Sequence, residues 1–208
     1  MIMEKRIKEI ERESKAFGGI RAMYYFDEIK GFQPTCPQEE GDKRIMMEYI
    51  SQYPDTILTR TCTLGHLTGS SMIFNPKRDK VLMIYHKIYR SWSWTGGHAD
   101  GEEDLLQVAM REAREETGVE YLRPLTGLFA LDVLPVWGHW KRGSYVSAHM
   151  HLNLTYLLEA SEKESLRIKE DENSGVAWIP IEDLKDYVTE PDMLPVYEKM
   201  IRGGLALS

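Results

Sequence analysis

Apolar positions recur at helical spacing through roughly the first 58 residues, in "EKRIKEIERESKAF" and "DKRIMMEYISQY", with the loop-like "GFQPTCPQEEG" between them. From about Thr59 the period shortens. "HLTGSSMIF" and "KVLMIYHK" are β-favouring runs on either side of "NPKRD", whose Asn, Pro and Asp suit a turn, so this segment predicts a hairpin. A central helix over "EEDLLQVAMREAREETG" is followed by a strand-rich stretch, "LTGLFALDVLPVW", and a long strand, "YVSAHMHLNLTYLLE". The polar loop "ASEKESLRIKEDENSG", a short strand "VAWIPI" and two closing helices around "EDLKDYV" and "MLPVYEKMIRG" complete the chain. Strands on both sides of a central helix predict a mixed α/β domain over 59–208, with residues 1–58 as a helical extension that caps it, forms a dimer interface or lengthens its core.

The central helix carries an anomaly. At about 100° per residue, Glu112, Glu115 and Glu116 share one arc of the helix surface, and Leu105 and Val108 fall within that arc one to two turns earlier. Ala109, Ala113, Leu106 and Met110 extend the stripe to one side. Like charges at this spacing repel, and the helix C-terminus disfavours negative charge further. The stretch itself holds too few basic residues to neutralise the three carboxylates. Oxygen donors grouped in this way suit a hard divalent ion such as Mg²⁺ or Mn²⁺, because a charge leaving water must be paired or must coordinate a metal. A solvated, glutamate-rich helix face is the competing reading of the three glutamates alone. Gly118 is placed to end the helix as its C′ residue.

Gly97, Glu103, Arg111, Glu112, Glu115, Glu116 and Gly118 fit the spacing G-x5-E-x7-R-E-U-x-E-E-x-G-U, and by these residues the segment resembles the signature of the Nudix hydrolases. Val119 also conforms at an aliphatic position, whereas Ala113 is smaller than usual. The hairpin before the motif, the lead-in "SWSWTGG", the long strands after it and "VAWIPIEDL" extend the resemblance over about residues 60 to 205. It implies a Nudix fold, a mixed sheet sandwiched between helices. The implied activity is metal-dependent cleavage of a pyrophosphate bond in a nucleoside diphosphate linked to another group. A non-catalytic nucleotide sensor on the same fold is the alternative, and an isomerase is a third reading; the cysteine and glutamate contexts of the isomerase branch are not found around Cys36 or Cys62.

By that resemblance, Glu112 and Glu116 are expected as inner metal ligands and Glu115 as a ligand or as the base that activates water, with the carbonyl of Gly96 or Gly97 as a further ligand. Arg111 is expected to orient a glutamate, and Glu103 to fix the loop. Family members often add an acid from a loop after the last long strand; Glu172 is the first choice here, ahead of Glu170 and Asp171. Strand alternation sets His149, His151 and Asn153 on one face, so that His149 and His151 can line the substrate cleft or share a metal, with the cleft taken as the role and a solvated strand face as the competing reading. His98 joins them because it follows the double glycine, while His66 is read as structural. Among aromatics near the motif, Trp94 is the candidate for stacking a base, with Tyr85, Tyr89, Trp92, Trp137 and Trp140 behind it. Pro135 lies 16 residues beyond Val119, a spacing similar to that of the ADP-ribose-cleaving branch of the family, and this resemblance implies ADP-ribose-like or nucleotide-sugar substrates.

Charge narrows the partners. A net charge of -7 argues against phosphate-driven nucleic-acid binding, yet it admits a small anionic substrate that arrives with a cation. The two cysteines, Cys36 and Cys62, match no metal or redox spacing. No apolar signal core follows "MIMEKRIKEIERESK" and no run of about 18 apolar residues occurs, so a cytoplasmic protein with no membrane partner is expected. A homodimer fits the helical extension.

Overall fold

The structure is a computed structural model that describes residues 24–141 and 143–207. The helix expected over "EKRIKEIERESKAF" lies outside the described residues. The described elements in order are α1 (Tyr24–Gly31), α2 (Pro37–Gln52), β1 (Gly65–Phe74), β2 (Lys80–His86), β3 (Ser91–Ser93), β4 (Thr95–His98), α3 (Leu105–Thr117), β5 (Arg123–Val136), β6 (His139–Lys141), β7 (Ser144–Val146), β8 (His149–Glu159), β9 (Asn173–Pro180), α4 (Leu184–Tyr187) and α5 (Leu194–Ala206), with a 3₁₀ turn, Ile181–Asp183, before α4. The main sheet runs β3-β2-β1-β8-β5, with β4 paired to β1 and β9 paired to β2; β6 and β7 form a separate ribbon. This is the mixed α/β architecture that the hydrophobic pattern predicts. Two compact units divide it, and each is described in turn.

The first unit takes its described residues from the segment up to Thr68, from His98–Leu105 and from Leu131–Leu154. Helix α1 buries Tyr25, Phe26 and Ile29, and α2 buries Met46, Met47 and Ile50. The latter starts earlier than its apolar period suggests, at Pro37, because proline suits the first helical position, where its missing N–H costs nothing. Glu39 accepts hydrogen bonds from the Thr35 backbone N–H at 2.8 Å and from the Thr35 hydroxyl at 2.9 Å, which tethers the incoming chain. From the same helix, Gln38 donates to the Leu131 carbonyl (3.0 Å) and Asp42 accepts from the Val133 N–H (2.8 Å), satisfying backbone groups of β5. Pro135 stands inside β5 rather than in a loop, and β5 ends the strand order, where a missing donor is tolerated. The long strand expected over 145–159 is broken at Ser147 and Ala148: β7 turns back to pair with β6, Trp140 opposite Tyr145, and β8 starts at His149.

The second unit comprises Gly69–Gly97, Leu106–Ala130 and the chain from Thr155 onward. Its β1–β2 hairpin pairs Ile73 with Leu82 and Phe74 with Val81. The turn between them is held by Asn75, whose side-chain oxygen accepts from the Asp79 and Lys80 N–H groups, both at 3.1 Å. Strand β2 also pairs with β9, from Lys80 opposite Pro180 to His86 opposite Asn173. Val81, Leu82, Met83 and Ile84 are all buried without alternation, the mark of a strand covered on both faces. Helix α5 approaches closely through Gly203 and Gly204, against which the rings of Phe129 and Phe74 are seated.

Candidate functional site: a glutamate cluster on one helix

Helix α3 buries Leu105, Val108, Ala109 and Ala113 completely, and the stripe continues into Glu116, which is 3% exposed. The wheel therefore places Glu116 correctly and the solvated-face alternative does not describe it, whereas Glu115, on the same arc, is exposed. The Glu116 carboxylate accepts a hydrogen bond from the Gly96 N–H at 3.1 Å. Burial pushes its pKa well above the ordinary carboxylate range; the Gly96 donor opposes this, and the nearby Glu112 and Glu172 charges add to it. Burial also raises Glu112, with Lys169 acting in the opposite direction. Glu112 lies against Gly97, where an added Cβ would stand 2.5 Å from the carboxyl carbon. A side chain at position 97 would occupy the space the carboxylate fills.

A second segment completes the cluster. Gly118 ends α3 with φ of +81° and donates to the Arg114 carbonyl at 2.9 Å, as a C′ glycine does. The last carbonyls of the helix need donors. The Thr117 carbonyl receives the Arg167 N–H (2.8 Å) and the Glu116 carbonyl receives the Asn173 side-chain amide (2.9 Å). The acidic loop is thus docked on the helix end, and Lys169 and Glu172 come with it. Lys169 Nζ stands 2.9 Å from Glu115, 2.9 Å from Glu172 and 3.7 Å from Glu112. Desolvation opposes its charge, but its hydrogen bonds to Glu115 and Glu172 hold its pKa above the usual lysine value.

The shortage of basic residues within the stretch is therefore partly made up from outside it. Lys169 is a lysine distant in sequence, brought in by helix capping, and spacing along α3 holds no trace of it. Arg111 makes a contact of 3.2 Å to Glu112, the glutamate next to it in sequence. Of the loop acids, Glu172 joins the cluster; Glu170 and Asp171 are exposed, and the Glu170 carbonyl accepts from Lys87. Glu103 lies in the loop before α3, where the Glu102 carboxylate accepts from the N–H groups of Glu103 (2.9 Å) and Asp104 (3.0 Å).

Four carboxylates, from Glu112, Glu115, Glu116 and Glu172, thus meet Lys169 and Arg111, leaving an excess of negative charge. One of the four is buried against its own electrostatic preference. Oxygen donors of this kind fit a hard divalent cation. Lys169, seated among them, supplies part of the positive charge such an ion would bring.

The remaining candidates fall elsewhere. Trp94, expected at the substrate, is 8% exposed and packs edge-to-face on Tyr197 with ring centroids 5.3 Å apart; this is core packing and leaves little ring face for a base. Trp137 and Trp140 are 78% and 73% exposed, and Trp140 lies edge-on to Tyr145. In the first unit His98, His149 and His151 gather with His66, which spacing had left as a structural residue. These four come from three segments, and only the alternation of His149 and His151 was visible in the sequence.

A family model described as NUDIX domain matches residues 66–201, more than half of the chain. The chain belongs to the Nudix family. Among curated proteins the Nudix chain is 28% identical over 99 residues, 48% of its own length, to a probable DHNTP pyrophosphohydrolase of Lactococcus lactis subsp. cremoris (strain MG1363), and the match spans 57% of that protein. It is 23% identical over 126 residues to the uncharacterized Nudix hydrolase YvcI of Bacillus subtilis (strain 168), covering 60% of this chain and 73% of that one. Among solved structures, a Nudix hydrolase from M. smegmatis, RenU, shares the fold with a TM-score of 0.50 at 16% identity, over 69% of this chain and 89% of that one. Among the described residues no helix is long and apolar enough to cross a membrane.

Proposed function

We propose that this Nudix protein is a pyrophosphohydrolase that uses a divalent cation, Mg²⁺ or Mn²⁺, to cleave a nucleoside diphosphate linked to another group, with a lean towards ADP-ribose-like or nucleotide-sugar substrates. The observation that carries the reading is the convergence of Glu112, Glu115, Glu116 and Glu172 on one point from two segments. The similarity to a protein named as a probable pyrophosphohydrolase supports the reaction class. In this reading the catalytic domain is 59–208 and residues 1–58 are an extension.

When bound, the cation would neutralise diphosphate charge and lower the pKa of water. Glu112 and Glu116, with the Gly97 backbone, would hold it. The Gly96 N–H keeps one Glu116 oxygen oriented, and Arg111 restrains Glu112. Glu172 or the more exposed Glu115 would accept the proton from the attacking water. Lys169 bridges these two carboxylates and holds both in place.

The second reading, nucleotide binding without turnover, draws support from Lys169 itself, since an ammonium among the carboxylates can stand in for a metal. A panel of nucleoside diphosphate derivatives incubated with Mg²⁺ or Mn²⁺, beside Glu116→Gln, separates the two. Metal-dependent product release that is lost in the variant supports the hydrolase; nucleotide binding with no turnover on any compound supports the sensor.

A further inference from the structure

Four histidines meet in the first unit, three of which, His98, His149 and His151, the sequence places at the substrate cleft. His66 stands on β1, His98 at the end of β4, and His149 and His151 two residues apart on β8. Ring centroids are 4.9 Å apart for His66 and His98, 5.0 Å for His66 and His149, 4.8 Å for His98 and His151, and 5.1 Å for His149 and His151. Backbone pairing fixes this meeting: Ala99 N–H donates to Leu67 O at 3.1 Å and Met150 N–H to Leu64 O at 2.9 Å. One ligand atom from each histidine can be chosen such that all four lie within 4.8 Å of one another.

The nitrogens are prepared for a ligand. His66 Nδ1 lies 3.1 Å from the Cys62 carbonyl and His149 Nδ1 lies 2.9 Å from the Ser147 carbonyl. A carbonyl only accepts, so each Nδ1 carries the proton and each Nε2 presents a lone pair. His66 is 4% exposed, and its Nε2 is buried with no hydrogen-bond partner; His151 Nε2 is likewise buried and unpartnered. Two orphaned ring nitrogens facing the same group of imidazoles are a cost to folding unless something occupies the space between them.

We propose that His66, His98, His149 and His151 form a binding site for a divalent transition-metal ion of the zinc and cobalt class. Imidazole nitrogens favour such ions over Mg²⁺, so the site differs in chemistry from the glutamate cluster. The geometry allows it. Four atoms within 4.8 Å of one another have a common point no more than about 2.9 Å from each, so nitrogens bonding at about 2.0–2.1 Å need to move inward by less than about 1 Å. The Cys62 and Ser147 carbonyls then play the outer-shell part that orients metal-binding histidines. Burial lowers the pKa of His66 and His151, which keeps both neutral, as ligands must be.

The test uses the full chain, freed of metal by chelation and titrated with Co²⁺ and then Zn²⁺. Expected are one equivalent of Co²⁺ with visible absorption bands of a nitrogen-ligated site, displacement by Zn²⁺, and an affinity at least tenfold weaker in His149→Gln while Glu116→Gln leaves it unchanged. His149 is partly exposed, so its replacement should keep the fold, checked by circular dichroism. Nitrogen NMR of the histidine-labelled wild-type chain needs no variant: Zn²⁺ should shift the ring signals of the four, with His86 and His139 as internal controls. Absence of the Co²⁺ bands, loss of binding in Glu116→Gln, or equal shifts across all histidines would each overturn the site.

Discussion

Gly97 and Glu112 are fitted so closely that a methyl group on the glycine would stand 2.5 Å from the carboxyl carbon and 2.7 Å from Oε1. The contact joins β4 to α3 by shape, with no hydrogen bond needed. Gly97→Ala must therefore expel the Glu112 carboxylate or distort β4. We expect a stability loss of about 1–3 kcal/mol, typical of overpacking, and at least a 100-fold fall in the proposed metal-dependent turnover. Gly127→Ala, where nothing lies within 4 Å of an added Cβ, is the matched control. Equal kinetics in the two variants would remove Glu112 from the machinery.

Glu116 separates stability from function. Its raised pKa means that the folded chain holds this proton more tightly than the unfolded chain, so its contribution favours the fold at low pH. That contribution fades as pH rises from the unfolded value towards the folded one. Glu116→Gln removes an ionisable group whose charged form burial disfavours, while keeping the shape. In metal-free buffer at pH 7, thermal melting should show the variant as stable as the parent or more so, by about 1 kcal/mol. Added Mg²⁺ should then stabilise the parent and leave the variant unmoved. A marked destabilisation in metal-free buffer would mean that the carboxylate is held by partners stronger than the Gly96 N–H.

The residues explain how much of this was legible. The apolar stripe of α3, the β1–β2 hairpin and the glutamate arc follow from periodicities of about 3.6 and 2, which are local properties. Lys169 was not legible, because its position depends on Arg167 and Asn173 finding the unsatisfied carbonyls at the end of α3, a contact between segments far apart in sequence. The acidic loop advertised its charge and concealed its capping. The gathering of His66 with His98, His149 and His151 was not legible for the same reason: its neighbours are supplied by β4 and β8, so no spacing reports them. The break between β7 and β8 escaped because Ser147 and Ala148 carry no proline or glycine to mark it.

Glu172 should behave as a participant in the reaction rather than as a binding group. It is held by Lys169 at 2.9 Å and its charge reaches buried Glu116. Glu172→Ala is expected to lower kcat by about 10²–10⁴-fold, the range for loss of a general base, with KM changed less than about threefold. Glu170→Ala, on an exposed neighbour, should match the parent. If Glu172→Ala keeps full kcat, the proton acceptor is Glu115.

Lys169 poses the sharpest choice, because one ammonium can either compete with a divalent cation or build its seat. Its raised pKa means that its stabilising effect is fully present below the ordinary lysine value of about 10.5 and is lost as pH climbs past the folded value. At pH 7 the whole contribution is therefore in force. Lys169→Met leaves Glu112, Glu115 and Glu172 without it, which should cost about 1–2 kcal/mol in metal-free buffer, reduced from the buried-pair range by partial exposure. If the lysine stands in for the cation, calorimetry should show Mg²⁺ binding the variant about tenfold tighter, and Mg²⁺ should restore the melting temperature. If it is part of the seat, Mg²⁺ affinity should fall and turnover with it, since Glu115 and Glu172 would lose the group that holds both. The seat outcome is the one expected of the hydrolase, because Lys169 holds Glu115 and Glu172 at 2.9 Å each, whereas the stand-in outcome would favour nucleotide binding without turnover.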